Sequence, residues 1–175
     1  MKQLEVTAGT AHLSDCGKYR WSLQREWVSR VPTQPERAAR CMWVGLNPST
    51  ADAFRDDPTI RRMMAFSNAW GFRHMVVCNL FAFRATNPFD LIACEGEIRR
   101  DDNIRIIADM GRRCSVIVCA WGHVNKLMRG DDERQVLAAL PLSTYCLGRT
   151  KDGAPRHPLY LAADTPLIPY GWQPK

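Results

Sequence analysis

Residues 42–50 read Met42-Trp43-Val44-Gly45-Leu46-Asn47-Pro48-Ser49-Thr50, and the fold prediction starts from this segment. Its first five residues form a short apolar run, which stops at a polar turn that contains a proline. A run of this length that ends in such a turn is typical of a buried β-strand. We expect the strand to end near Leu46 and the turn after it to carry the chemistry.

Three more apolar runs follow, over residues 75–80, 115–122 and 143–148. Helical patterns separate the runs: one starts at Pro58 and ends before Gly71, a second lies around residues 99–110, and a third precedes the last strand. Strands that alternate with helices predict a mainly parallel sheet covered on both faces. The expected fold is therefore an α/β domain with three layers, α/β/α, around a central, mostly parallel sheet.

The opening segment predicts a short N-terminal β-hairpin. Gly17-Lys18 is typical of a turn, and Tyr19, Trp21 and Leu23 then alternate as residues on one face of a strand do.

The composition is that of an ordinary globular protein, with 46% hydrophobic and 24% charged residues among 175. A chain of this length fits one domain, so we expect a single unit over residues 1–175. The formal net charge of +6 favours a polyanionic partner, although a basic protein that merely stays soluble is the alternative.

The cysteines argue against a secreted disulfide framework and against a zinc module, because their number is odd and no C-x-x-C pair occurs. We expect reduced thiols and a cytoplasmic protein. Neither a membrane span nor a signal peptide is expected from the apolar runs or the N-terminus. The seven cysteines are Cys16, Cys41, Cys78, Cys94, Cys114, Cys119 and Cys146.

Polar residues follow the predicted strands at the edge where a parallel sheet binds its ligands. They are Asn47, Asn79, the segment Trp121-Gly122-His123, and residues 151–161 after the fourth strand. We expect Asn47, Asn79 and His157 to converge on one cleft.

The order of these landmarks resembles that of the uracil-DNA glycosylase-like enzymes. Val44-Gly45-Leu46-Asn47-Pro48-Ser49 is similar to their first catalytic motif, a strand that runs into a Gly-x-(Asp/Asn)-Pro turn. A strand ending in Asn79-Leu80, a strand ending in Trp121-Gly122 and a late segment His157-Pro158-Leu159-Tyr160-Leu161 follow in the family's order. The resemblance spans residues 44–161.

Four shorter segments resemble a bacterial and phage family known as domain-of-unknown-function family 1643. They are Leu46-Asn47-Pro48-Ser49-Thr50-Ala51-Asp52, Asp56-Asp57-Pro58-Thr59, Asn79-Leu80-Phe81 and Pro155-Arg156-His157-Pro158-Leu159-Tyr160. This closer match implies no particular activity, so the functional expectation depends on the wider resemblance.

The glycosylase resemblance implies a role for each motif residue. Asn47 would position the attacking water, and Asn79, whose amide both donates and accepts, would bind the edge of the base. His157, preferably neutral, would donate to the base oxygen where negative charge develops. Phe54 would stack on the flipped base, with Phe81 as its competitor.

One departure from the strict uracil enzymes bears on specificity. Those enzymes continue the catalytic turn with a tyrosine that excludes bases carrying a group at the pyrimidine 5-position, whereas here Ser49 follows Pro48. The resemblance therefore implies a more open pocket, a 5-substituted or hypermodified pyrimidine as substrate, and a role in antiphage defence.

An acidic cluster lies beside the proposed site. Asp52, Asp56 and Asp57 could bind a divalent metal, but capping of a helix that starts at Pro58 is the preferred interpretation for Asp56 or Asp57. One of the three, Asp52 first, could still assist the water because Asn47 cannot take its proton.

Further residues are assigned to DNA contacts by the same reasoning. Lys151 and Arg156 would bind phosphates beside the flipped nucleotide, and Tyr160 or Leu161 would fill the vacated stack as a wedge. Trp121 is expected to form core or pocket wall rather than to react.

The sequence thus predicts a monofunctional DNA glycosylase that hydrolyses the N-glycosidic bond of a modified pyrimidine and leaves an abasic site. DNA is the expected partner, and no cofactor, metal or protein partner is implied. Two alternatives stay open: a metal-dependent hydrolase or transferase acting on a free nucleotide, and an inert module that binds modified nucleic acid. Asn47 could also be a plain turn residue, Asn79 a strand cap, and His157 a partner of a neighbouring carbonyl.

Overall fold

A computed structural model describes residues 4–29, 40–87, 89–93, 100–123, 132–141 and 143–171. Within these ranges the strands are β1 (Val6–Leu13), β2 (Arg20–Trp27), β3 (Arg40–Gly45), β4 (His74–Asn79), β5 (Cys114–Cys119), β6 (Thr144–Cys146) and β7 (Ile168–Tyr170). The helices are α1 (Pro58–Ala69), α2 (Asp90–Ala93), α3 (Arg100–Gly111) and α4 (Asp132–Ala139), with a 3-10 turn at Pro158–Tyr160.

The strands form one seven-stranded sheet in the order β1-β2-β4-β3-β5-β6-β7. The four apolar runs of the sequence are its centre, β4-β3-β5-β6, and these strands are parallel. The predicted α/β class is confirmed. The expectation of a mostly parallel sheet holds for this centre alone, because β1, β2 and β7 join it through antiparallel pairings.

The central strand β3 is buried on both of its faces. Trp43 packs against Phe66 of α1, with ring centroids 6.2 Å apart. Its neighbour Val44 points the other way, into the cluster that contains Ile107 of α3 and Val136 of α4. Residues of α1 therefore pack on one face of β3 and residues of α3 and α4 on the other, so β3 has no exposed face on which a polar side chain could lie.

The predicted N-terminal hairpin is confirmed, and β2 extends it into the sheet by pairing with β4. The expectation that Tyr19, Trp21 and Leu23 share one face is wrong for Leu23. Tyr19 stacks on Trp21 with centroids 5.6 Å apart, whereas Leu23 belongs to the cluster on the α1 side. The pairing with β1 shifts register between His12 and Leu13, and the extra residue, Trp21, interrupts the two-residue alternation as a β-bulge does.

The cysteines that the structure describes carry no disulfide bond, and five of the six are buried. Burial raises the pKa of Cys41 and of Cys78 to about 12, so both thiols are protonated at neutral pH. Cys94 lies outside the described residues. Among the described helices, none has both the length and the apolar character that crossing a membrane requires.

Ser67 of α1 links the helix to the sheet through buried hydrogen bonds. Its hydroxyl accepts from Nε1 of Trp43 at 2.9 Å and donates to the carbonyl oxygen of Met63 at 2.8 Å. Ser67→Ala leaves the buried indole N–H without an acceptor, so the free energy of unfolding should fall by about 1–3 kcal/mol. Chemical denaturation measures this loss.

Ser115→Ala is the matched control, because Ser115 is exposed on β5. Its effect should stay within about 0.5 kcal/mol. Equal losses from the two substitutions would contradict the role assigned to Ser67.

Candidate functional site

The carboxyl ends of the four parallel strands meet at one edge of the sheet. Their last residues are Gly45, Asn79, Cys119 and Cys146. Backbone hydrogen bonds continue across the edge, from the N–H of Leu80 to the carbonyl of Gly45 at 2.9 Å among others. The polar segments singled out in the sequence leave the sheet here, as the prediction for a parallel sheet requires.

Asn47 is held in a fixed orientation by two backbone carbonyls. Its Nδ2 donates to the carbonyl oxygens of Pro48, at 3.0 Å, and Ala85, at 2.7 Å. Because a carbonyl can only accept, these contacts commit both amide hydrogens. The Oδ1 atom accepts no hydrogen bond from the described residues, so Asn47 presents an acceptor to whatever occupies the edge.

Asn79 is 4% exposed and lies across Gly45. A Cβ atom added at Gly45 would be 2.8 Å from Oδ1 of Asn79, which explains the glycine at the end of β3. The side chain of Asn103 donates to the carbonyl of Asn79 at 3.0 Å and so holds the end of β4 in place. The Nδ2 of Asn79 is buried without an acceptor in the described part of the chain.

His157 lies at the start of the 3-10 turn, beside the end of β5. A Cβ atom added at Gly122 would be 3.3 Å from Cβ of His157, and Gly122 has a φ of +77°, which favours glycine. Nδ1 of His157 accepts from the N–H of Leu159 at 3.4 Å, which places the hydrogen of the neutral ring on Nε2. Burial lowers the pKa of His157, while the charge of Asp57 partly opposes this shift.

Each carboxylate of the acidic cluster is already bound by the protein. Asp57 caps α1 by accepting from the N–H of Ile60 at 2.8 Å, so the preferred capping interpretation is confirmed. Asp56 pairs with Arg25 at 2.8 Å. Asp52 accepts at 2.8 Å from the backbone N–H groups of residues 54 and 55, and these bonds lower its pKa.

Because its pKa is lowered, the Asp52 carboxylate is a weaker base than an ordinary aspartate. Its proposed assistance to the attacking water stays a prediction. In the described ranges no group of three or more His, Cys, Asp and Glu side chains is placed to hold a metal ion.

The aromatic candidates fall into different environments. Phe54 is 99% exposed on the loop between Asp52 and Asp56, whereas Phe81 is buried in the cluster on the α3 side of the sheet. Trp121 is buried edge-on against Tyr170 with centroids 5.6 Å apart, as expected for core or wall. Ser49 is half-buried and small.

Of the residues assigned to DNA contacts, Lys151 and Arg156 are exposed at the rim of this edge. Tyr160 is 85% exposed and presents its ring to solvent. Leu161 is buried in the cluster on the α1 side, and its carbonyl accepts from Arg62, so the wedge role assigned to it is not compatible with its packing. The wedge role of Tyr160 stays a prediction.

One polar pair at this edge escaped the sequence analysis. Nδ1 of His123, next to Gly122, lies 2.8 Å from Oδ2 of Asp152 in the turn after β6. The pair orients the imidazole with Nε2 away from the carboxylate. Only the pairing of β5 with β6 could have revealed it, because the two residues are far apart in the chain.

A solvent-open groove of about 140 Å³ lies at the opposite edge of the sheet. Arg40 and His74, the first residues of β3 and β4, are among its lining residues. No residue predicted for the site lines this groove, so the carboxyl edge is the stronger candidate. The convergence of Asn47, Asn79 and His157 on a single cleft stays a prediction.

Replacing Gly45 by alanine tests the packing of Asn79 across the strand. The added methyl group collides with Oδ1, so Gly45→Ala should lower the free energy of unfolding by about 1–3 kcal/mol. In an Asn79→Ala background the same substitution should cost far less, which a double-mutant cycle of denaturation curves measures. Equal costs in both backgrounds would rule out the contact.

The lowered pKa of His157 gives stability a defined pH dependence. The unfolded chain binds the proton more readily than the folded one, so His157 should reduce stability progressively as the pH falls below about 6.5. His157→Gln removes this dependence, so the free energy of unfolding should fall less for the variant than for the wild type as the pH is lowered. If the free energy of unfolding depends on pH in the same way for the two proteins, the buried, neutral imidazole is contradicted.

Comparison with known proteins identifies one family. The family model described as "Protein of unknown function (DUF1643)" matches residues 20–159, which include β2 to β6 and the whole carboxyl edge. No curated protein and no solved structure gives a significant match. The chain therefore belongs to the DUF1643 family of proteins of unknown function.

Proposed function

We propose that the protein is a DNA glycosylase of the uracil-DNA glycosylase-like kind, which excises a modified pyrimidine. The observation that carries the proposal is the unpaired Nδ2 of Asn79. A buried donor without an acceptor destabilises the fold by about 1–3 kcal/mol, a cost that a ligand oxygen would remove. Asn79 thus has the free donor that recognition of a pyrimidine carbonyl needs.

His157 supplies the group that stabilises the departing base. When the bond between the sugar carbon and the base nitrogen breaks, its electrons leave with the base and negative charge collects on a base oxygen. The neutral imidazole donates from Nε2 to that oxygen, since Nδ1 is engaged with the N–H of Leu159. Burial keeps the ring neutral, so the donor is in place at neutral pH.

Asn47 orients the water that completes the reaction. Its free Oδ1 accepts a hydrogen bond from the water, which adds to the sugar carbon after the base has begun to leave. The proton released by the water goes to the departed base. An amide does not take this proton, so the leaving-group stabilisation by His157 bears most of the catalysis in this proposal.

The proposed substrate carries a group at the pyrimidine 5-position. Ser49 is the small residue that follows Pro48, at the point where the strict uracil enzymes have a tyrosine. Removal of such bases from phage DNA would make the protein a defence enzyme. The net charge of +6 supports DNA as the partner. Helices on both faces of the sheet support the three-layer fold of these enzymes.

A module that binds modified nucleic acid without cleaving it is the second candidate. The observation that favours it is the lack of a strong base: Asn47 cannot accept a proton and Asp52 has a lowered pKa. Such a module would bind modified DNA tightly and leave it intact.

The deciding experiment incubates the protein with DNA that contains uracil, 5-hydroxymethylated or glucosylated pyrimidines and then tests for alkali-labile abasic sites. On the DNA that yields abasic sites, His157→Ala should slow single-turnover excision by about 10²–10³-fold, because one preorganised donor is lost. Its melting temperature should stay near that of the wild type, since His157 lies on a loop.

His12→Ala is the matched control, because His12 is exposed on β1, the outermost strand of the described sheet. It should retain full activity. Unchanged excision by His157→Ala would remove His157 from the mechanism. Tight binding of modified DNA with no abasic product would replace the glycosylase by the binding module.

A further inference from the structure

Arg20 is a buried arginine beside the candidate site. It is 2% exposed at the start of β2, and its Nη1 donates to the carbonyl oxygen of Ala51 at 2.6 Å. Its Nε is buried and has no acceptor among the described residues. Burial lowers its pKa to about 10, so the side chain is still charged at neutral pH. A buried charge without an ion-pair partner is costly and calls for an anion.

Arg84 lies on the segment that pairs with the backbone around Arg20. The backbone of residues 18–20 pairs with that of residues 82–84, so the two arginines lie on adjoining segments. Within the described ranges Arg84 makes one side-chain hydrogen bond, to the carbonyl of Gly17 at 3.2 Å, and its Nε is also buried without an acceptor there. The charge of Arg84 lowers the pKa of Arg20 further.

The nearby carboxylates do not neutralise this pair by direct contact. Asp57 is close enough to raise the pKa of Arg20, but its Oδ1 caps α1, and Asp56 pairs with Arg25. In the described part of the chain no ion pair joins either Arg20 or Arg84 to a carboxylate.

Both arginines contact or adjoin the backbone that shapes the Asn47 loop. Arg20 holds the carbonyl of Ala51, four residues after Asn47, and Arg84 precedes Ala85, whose carbonyl fixes Nδ2 of Asn47. An anion held between the guanidinium groups would therefore lie next to the loop that presents Asn47.

We propose that Arg20 and Arg84 form a binding site for a phosphate group of the nucleotide whose base contacts Asn79. The tetrahedral oxygens of phosphate accept from the two unpaired Nε–H groups, and the negative charge offsets the repulsion between the arginines. The site extends the proposed function, and the identity of the nucleotide rests on that function. The phosphate comes either from a DNA backbone or from a free nucleotide.

The test compares Arg84→Gln with Arg105→Gln, which removes the same charge from an exposed arginine on α3. The probes are deoxyuridine, deoxyuridine 5′-monophosphate and a short single-stranded deoxyoligonucleotide, with affinities from calorimetry or fluorescence anisotropy. Arg84→Gln should weaken the binding of a phosphate-bearing probe by about 10–100-fold and leave the affinity for deoxyuridine unchanged. The salt dependence of oligonucleotide binding, log K against log salt, should lose about one unit of slope.

Loss of affinity for the oligonucleotide alone identifies a DNA phosphodiester, and loss for the monophosphate as well identifies a free nucleotide phosphate as sufficient. Unchanged affinities, or an equal loss from Arg105→Gln, would overturn the site. If Arg84→Gln lowers the melting temperature, the test is made on the wild-type protein instead. Inorganic phosphate should raise the melting temperature of the wild type above its value in chloride at equal ionic strength. No rise would refute the site.

The two proposals fail separately. Arg84-dependent binding of the phosphate probes by a protein that produces no abasic sites would retain this site and end the glycosylase proposal. If the protein excises modified bases but Arg84→Gln changes neither the affinity nor the salt dependence, the glycosylase proposal is retained and the phosphate site is refuted.

Discussion

Burial of β3 on both faces is the constraint on which the rest of the structure depends. Residues 41–44 of this strand are completely buried, packed by α1 on one side and by α3 and α4 on the other. A strand in this position cannot carry polar side chains along its length without losing core packing. Polar chemistry is therefore confined to its ends, and the parallel pairing of β3 with β4 and β5 adds their ends to the same edge.

The local pattern was sufficient to predict the central sheet and the start of α1. Strands β3 to β6 are apolar runs bounded by turns, and Asp57-Pro58 carries both a capping side chain and a proline suited to the first turn. Two features escaped prediction. The strand β7 is three residues long and contains Pro169, so its pairing depends on β6 rather than on its own sequence. The bulge at Trp21 breaks the period from which a face is inferred.

The rule for parallel sheets predicts the placement of the candidate site, but its details depend on tertiary contacts. That Asn47 follows one strand and Asn79 ends another at the same edge could be predicted, whereas which amide atoms stay free depends on carbonyls elsewhere in the chain. Phe81 is two positions beyond Asn79, yet its ring packs in the core. Arg20 occupies a strand position that resembles any exposed site, because only tertiary packing buries it.

The two outer strands of the described sheet differ in how they can be extended. β7 ends the sheet with Pro169 at its middle position, and proline has no N–H to offer a further strand. β1 is eight residues long, largely exposed and pairs on one side only. Strand addition between two chains at β1 would produce a doubled sheet that ends in β7 on both sides. Growth by this route stops at a pair of chains and does not continue into a filament.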